Sequence, residues 1–309
     1  MKISVVVPNY NHASSVMRCL DALYGQKIHE SNQFTVIVVD DGSTDDSVSS
    51  IRLHYGDHVR LIELGSNQGR STARNTGVRK SEADYIVFID SDCVAADDQF
   101  IQAYIDAVSK GADLVFGQVS ARNDSFWDLL QKSTFSNRLD EFRSGRHWSY
   151  TTQNVCIKRD LFLQTGGFDL AFDKHGFEDR DLFIRLIGVG ANPAYCDDAN
   201  VIHDDKISLA SVSAKMLAAG KHVAIPFREK HPSHYMVSPY AKLDCGIHPW
   251  LKWLDALLWP IASRMARGNA DWLENRHLPL QLRIYLARLV YGLHYLHGTA
   301  LATKKSGQD

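Results

Sequence analysis

This 309-residue sequence has few cysteines, no long apolar runs, no glycine-rich phosphate loop and no dominant charge. Its five cysteines, Cys19, Cys93, Cys156, Cys196 and Cys245, are odd in number and scattered, with no C-x-x-C pair. That excludes a disulfide scaffold or a zinc knuckle and fits a reducing compartment. No stretch approaches the ~20 uninterrupted apolar residues of a membrane-spanning helix. Met1-Lys2-Ile3-Ser4 leads straight into an apolar strand, without the charged region, apolar run and cleavage site of a signal peptide. Cytoplasmic residence is therefore expected. Lys+Arg 34 against Asp+Glu 36 leaves −2 and no basic domain, so no nucleic-acid partner is expected.

What is present is globular, with 45% hydrophobic and 23% charged residues, enough chain for one or two domains. The near-neutral sum hides an asymmetry. Residues 247–309 hold eight Lys/Arg and four acids, a net +4, which leaves −6 on residues 1–246.

The first 120 residues alternate between short β-branched runs and helical spacing. Strands are predicted at Ile3–Val7, Phe34–Val39, Val59–Leu64, Tyr85–Ile89 and Asp113–Val119. Helices are predicted at Ser14–Tyr24, Asp45–His54, Gly69–Lys80 and Asp98–Ser109. Such alternation implies right-handed crossovers and an α/β fold, a Rossmann-type, mostly parallel sheet with helices on both faces. Ligands of such sheets bind beyond the carboxyl ends of the strands. From Ser120 to Tyr150 the alternation fails, and that stretch reads as an ordered insert or a mobile lid. It resumes with a strand Val155–Lys158, the turn Gly166-Gly167-Phe168-Asp169, a helix from Glu178 to Ile187 and a strand Ala194–Ile202. The expected division is 1–120 as a nucleotide-binding half, 121–236 as the other half of the same domain, and 237–309 as a mainly helical extension.

The four loops after the early strands carry the chemistry. Pro8-Asn9-Tyr10-Asn11 has no glycine, which excludes a dinucleotide fingerprint or a P-loop there. It offers amide side chains and a flat ring for a base, or an ordinary turn with Asn as a cap. In Asp40-Asp41-Gly42-Ser43-Thr44-Asp45, two adjacent acids close a buried strand. Their repulsion needs a donor, and a uracil N3–H or a ribose hydroxyl would be one. Arg70 and Arg74 share a helical face and would meet a diphosphate, or else form a solvated basic face. Asp90-Ser91-Asp92 follows Tyr85–Ile89. Strand alternation would turn both carboxylates to one side, inviting a hard divalent cation with open positions for phosphate oxygens.

The ordered set Val6-Val7-Pro8-Asn9-Tyr10-Asn11, Val39-Asp40-Asp41-Gly42-Ser43-Thr44-Asp45, Asn67-Gln68-Gly69 with Ala73-Arg74-Asn75, and Asp90-Ser91-Asp92 resembles the family 2 glycosyltransferases of the GT-A fold over roughly residues 1–205. The resemblance implies a nucleotide-sugar donor, commonly a UDP-sugar, and transfer with inversion. Donor contacts would come from Pro8, Asn9, Tyr10, Asn11, Asp40, Asp41, Asn67, Gly69, Arg74, Asp90 and Ser91. Asp41 would be the uracil-contacting acid. Asp90 and Asp92 would hold Mn2+ or Mg2+, with His203 either completing that site or serving as a polar residue at a strand end. Gly167, Phe168 and Glu178 would meet the acceptor, and Asp179 would be the base, with Glu178 helping to position it. Alone, Glu178 and Asp179 also suit a first helical turn. Asp181 is expected to face solvent or pair locally, and His175 is a weaker contact for phosphate or acceptor.

The Gln-x-x-Arg-Trp motif and membrane helices of processive members are absent, so one or a few sugars would be added. Two other functions compete. A non-catalytic nucleotide-sugar-binding scaffold would have lost the base, whereas Glu178-Asp179 is intact. Sugar-1-phosphate nucleotidyltransferases share a loop containing glycine, arginine and proline that Pro8–Asn11 lacks. The acceptor could be a glycan, a lipid-linked sugar, a peptide or a small metabolite. In the tail, Trp250, Trp253, Leu254, Leu257 and Leu258, and Leu282, Tyr285, Leu286, Leu289 and Leu296, follow helical spacing. These helices would pack on the catalytic domain, form a homodimer, or lie peripherally on the inner face of a membrane.

Overall fold

The computed structural model describes residues 1–172, 174, 176–204, 207–268, 270–275 and 277–305, with side chains through 303. Eight strands, β1 (Lys2–Asn9), β2 (Gln33–Asp40), β3 (Arg60–Glu63), β4 (Tyr85–Ile89), β5 (Cys93–Ala95), β6 (Leu114–Ala121), β7 (Asn154–Lys158) and β8 (Pro193–His203), form one mixed sheet. Its order is β3-β2-β1-β4-β7-β6-β8-β5. The β1–β2, β1–β4, β2–β3 and β6–β8 pairs are parallel; β7 and β5 pair antiparallel with their neighbours.

The central strands β1, β2 and β4 carry continuous buried apolar runs because both faces are covered. Val5 and Val7 of β1 face one helical layer, and Val6 the other. The first layer comprises α1 (Ala13–Tyr24), α2 (Ser47–Tyr55) and, further along the chain, Phe100–Ser109. The second includes α3 (Arg70–Arg79). Helix Phe100–Ser109, α4, is followed by α5 (Phe126–Arg143), α6 (Arg159–Gln164) and α7 (Glu178–Gly188). Phe162 of α6 and Leu182, Phe183 and Leu186 of α7 join the second layer's core. Each of these buried side chains contributes about 2 kcal/mol by leaving water.

The chain divides into two compact units. One contains Met1–Asn123, Gln131–Leu170 and Asp179–Asp205; the other contains Asp124–Leu130, Ala171–Glu178 and Lys206–Asp309. The second unit is helical, with α8 (Leu209–Ala218), α9 (Ala224–Lys230), α10 (Pro232–Met236), α11 (Leu251–Arg267) and α12 (Leu280–Lys305). A π-turn at Ala219–Val223 joins α8 to α9. There Gly220 meets Gly298 of α12 so closely that a Cβ on Gly220 would lie 2.3 Å from the Tyr295 carbonyl oxygen. Only glycines let the two backbones cross at this separation. No described helix is long and apolar enough to cross a membrane.

Candidate active site

Register places the candidate loops together. Asn9 stands opposite Asp40 in the β1–β2 ladder, and Asp40 opposite Glu63 in β2–β3. The loops after β1, β2, β3 and β4 therefore leave one edge of the sheet.

The loop after β2 answers its own electrostatic problem. The Ser43 backbone N–H (2.8 Å) and hydroxyl (2.6 Å) donate to Asp40, as does the Asn9 amide (3.0 Å). Asp41 accepts from the backbone N–H groups of Gln68 (2.7 Å) and Gly69 (2.9 Å). Both acids are buried. The donors required by two adjacent carboxylates are thus supplied within the protein, where the sequence suggested a nucleotide. Asn11, at φ 54°, accepts from the backbone N–H of Thr44 (2.7 Å) and tethers the first loop to the second. Gly42 has φ 79°, and a Cβ there would lie 2.6 Å from Ser66 Cα. The turn can approach the Ser66-Asn67 backbone only without a side chain. Tyr10 remains 43% exposed, presenting a flat ring beside these loops.

The loop after β4 is built differently. The strand ends at Ile89, and the Cys93 N–H donates to the Asp90 carbonyl, so Asp90-Ser91-Asp92 is a turn rather than a continued strand. Strand alternation therefore does not orient its carboxylates. Partners do. Arg74 donates to Asp90 Oδ1 at 2.6 Å, and Asp92 Oδ2 lies 3.4 Å from His203 Nε2. Ser91 is buried between them in sequence.

His203 ends β8 and is set beside the Asp90-Ser91-Asp92 turn by pairing with β5, a three-residue strand too short to be read from sequence. Cys93 pairs with His203 across β5–β8, and the Asp204 N–H donates to the Asp92 carbonyl at 2.8 Å. Burial alone would push the Asp92 carboxyl upward. The His203 hydrogen bond and charge, with the nearby His12 charge, bring it below the usual aspartate value. The Cys93 thiol is pushed well above its ordinary value by burial and then by the charges of Asp92 and Asp90, so both carboxylates bear on one point.

Arg74 is the centre of the arrangement. It is 1% exposed, its guanidinium lies 5.3 Å from the Phe168 ring centroid, and its Nη1 is 3.6 Å from Asp179 Oδ1. Its Nε and Nη1 make no hydrogen bond. One buried cation thus touches both Asp90, beside the candidate metal position, and Asp179, the candidate base. Thr152 donates to Asp179 Oδ1 at 2.5 Å. Thr152 and Gln131, which contacts His203 Nδ1 at 2.9 Å, belong to no motif and carry no sequence signal.

The Gly166-Gly167-Phe168 turn is held from both sides. The Asn75 amide bonds the Phe168 backbone N–H and carbonyl, both at 2.9 Å. Arg185 donates to the Thr165 and Gly167 carbonyls, both at 2.7 Å, while paired with the fully buried Asp181. Asp181 pairs locally and does not face solvent. The Phe168 ring packs on Phe88 and Phe162 inside the core, so it offers no exposed surface to an acceptor. Glu178 is buried in the second unit and accepts from the Gly176 N–H at 2.8 Å. Just before it, Phe177 takes φ 66°, a left-handed conformation uncommon for a bulky residue, and turns the chain into α7. Asn67 and Gly69 sit at the entrance to α3, while Pro8 lies near the end of the β1 ladder, opposite Val39 of β2. His175 lies outside the described residues.

The model of the Glycosyl transferase family 2 family matches residues 4–170, more than half of the chain. The chain belongs to this family. It is 32% identical over 179 residues to the glycosyltransferase AglE of Haloferax volcanii, covering 54% of this chain and 55% of that protein. It is 31% identical over 267 residues to the chondroitin synthase of Escherichia coli, covering 81% of this chain but 36% of that one. The chain spans between about a third and two thirds of the length of these curated relatives and of YfnE of Bacillus subtilis, of which 65% is covered at 27% identity. Among solved structures, the mannosyltransferase PcManGT of Pyrobaculum calidifontis, in complex with GDP-Man and Mn2+, superposes with a TM-score of 0.61 at 19% identity, covering 98% of this chain and 87% of that one. S. aureus TarS 1-349, in complex with UDP-GlcNAc, gives 0.52 at 16% identity, covering 99% and 92%. These likenesses establish the GT-A-type fold.

The donor set can be compared with what a hard cation needs. With the Gln131 oxygen accepting from Nδ1 at 2.9 Å, the His203 ring directs Nε2 at Asp92 Oδ2, 3.4 Å away. A cation taking the place of the Nε2 proton would find an imidazole nitrogen and a carboxylate oxygen facing one another. Among the described residues no three His, Cys, Asp or Glu side chains close on one point. Asp92 and His203 supply two facing donors, so a cation held here would need phosphate oxygens to complete its shell, as Mg2+ and similar ions favour.

Proposed function

We propose that this protein is an inverting, metal-dependent, non-processive glycosyltransferase that moves a sugar from a nucleotide-sugar donor, such as a UDP-sugar, to an acceptor hydroxyl. The observation that carries the reading is the buried Arg74 contacting Asp90 and Asp179 at once, because it fixes the base relative to the donor-side turn.

In the proposed reaction the acceptor oxygen attacks the anomeric carbon from the face opposite the nucleoside diphosphate. Asp179 accepts the hydroxyl proton as the new C–O bond forms and the bond to the diphosphate breaks, so the configuration inverts. Thr152 and Arg74 hold Asp179 Oδ1 so that its position does not depend on a mobile side chain. Tyr10 supplies a ring face for the base, and the loop around Asp40 and Asp41 forms a preorganised wall. Asp92 and His203, with Asp90, would hold a divalent cation, which when bound supplies Lewis-acid stabilisation of the departing diphosphate. PcManGT with GDP-Man and Mn2+, and TarS with UDP-GlcNAc, support the donor class and the metal.

The test is release of nucleoside diphosphate from a panel of UDP- and GDP-sugars with Mn2+, with and without EDTA. Release with at least one donor, abolished by EDTA, is expected. Absence of release with every donor would revive the scaffold reading.

A further inference from the structure

The second unit contains an apolar surface that the proposed transfer does not use. Trp250 and Trp253 (each 66% exposed), Leu257 (63%) and Ile261 (59%) follow at intervals of three and four along α11. That spacing sets them on one face, extending with Arg264 over about 20 Å. The opposite face is occupied. Trp259 stacks on His297 of α12 at 3.7 Å, and Asp255 is buried against His297 Nδ1 at 3.0 Å. Helix packing therefore accounts for one side of α11 and leaves the tryptophan side bare.

The charges on this helix all have one sign where they meet water. Lys252, Arg264 and Arg267 are exposed, and Asp255, the helix's single acid, is turned inward. On the tryptophan face itself Arg264 is the charged residue, with Arg267 on its flank and Lys252 towards the Trp259 side. An anionic lipid surface meets both features: headgroup phosphates face the Arg side chains, and the indole rings settle at the water–acyl boundary.

We infer that α11 is a membrane-surface helix that docks the enzyme on anionic lipid through Trp250, Trp253, Leu257 and Ile261, with Arg264 and the flanking Arg267 engaging the headgroups. No step of catalysis enters this inference, and it stands or falls separately from the proposed transfer.

Co-sedimentation of the full chain with phosphatidylcholine vesicles, with and without phosphatidylglycerol, tests it. Binding is expected only with phosphatidylglycerol and should weaken with added salt. Arg264→Gln should weaken partition about fivefold, and Trp250→Ser with Trp253→Ser about tenfold. All of these positions are exposed, so thermal unfolding should be unchanged, which separates loss of docking from loss of fold. No binding to phosphatidylglycerol vesicles, or binding indifferent to these substitutions, would overturn the inference. So would a stable dimer in sedimentation velocity that the tryptophan substitutions dissociate.

Discussion

The loops after β2 and β4 each end a buried strand on two aspartates, yet they are built in different ways. Asp40 and Asp41 are surrounded by neutral donors, namely the Ser43 hydroxyl, the Asn9 amide and the backbone N–H groups of Ser43, Gln68 and Gly69. Asp90 and Asp92 are met by charged or basic side chains, Arg74 and His203, and their carboxylates keep 22% and 15% exposure. The first pair consumes its charge in joining loops. The second keeps its charge beside a guanidinium and an imidazole. A pair of acids at a strand end is therefore not by itself a ligand site; the chemistry of the donors around it decides.

Substitutions can break or sharpen that contrast. The largest effect is expected from Arg74→Gln, which leaves Asp90 and Asp179 without their shared buried cation and should lower stability by about 3 kcal/mol in denaturant unfolding. Next, Asp41→Asn should cost about 2 kcal/mol, because a charged acceptor of two backbone N–H groups is weakened, while the Mn2+ requirement stays unchanged. Asp92→Asn should show the reverse, a raised Mn2+ requirement in a titration of donor turnover with little change in unfolding. If Asp41→Asn shifts the Mn2+ requirement and Asp92→Asn does not, the two loops have been assigned the wrong way round. The smallest effect is expected from Gln131→Ala, which frees the His203 ring and should weaken apparent Mn2+ affinity about tenfold with stability nearly intact.

Much of the first unit was legible because β-branched runs and helical spacing alternate cleanly. Strand Tyr85–Ile89 appears at its predicted bounds, and the ends of the other early elements shift by no more than two residues. The metal-side geometry was less accessible. Its placement depends on β5, three residues long, and on a turn that interrupts the alternation from which the Asp90 and Asp92 directions were read. The stretch 120–150 hid the long helix α5 because its apolar residues do not keep to one face. Arg74 showed the opposite failure. Its sequence context allowed a phosphate contact, but its near-complete burial makes it a connector between two acids. In the second unit, helical spacing predicted α11 correctly. Spacing alone could not say which half of the stripe would be covered, since Trp259 and Trp253 look alike until α12 is in place.

The central claim is that Asp179, fixed by Arg74 and Thr152, takes the acceptor's proton. It is tested most directly by Asp179→Asn, with donor binding and transfer measured on the same preparation. An amide keeps the shape and the Thr152 contact but cannot accept the proton. The account predicts donor affinity within about twofold of the parent and transfer reduced at least about a hundredfold. Transfer at the parental rate with binding intact would contradict it.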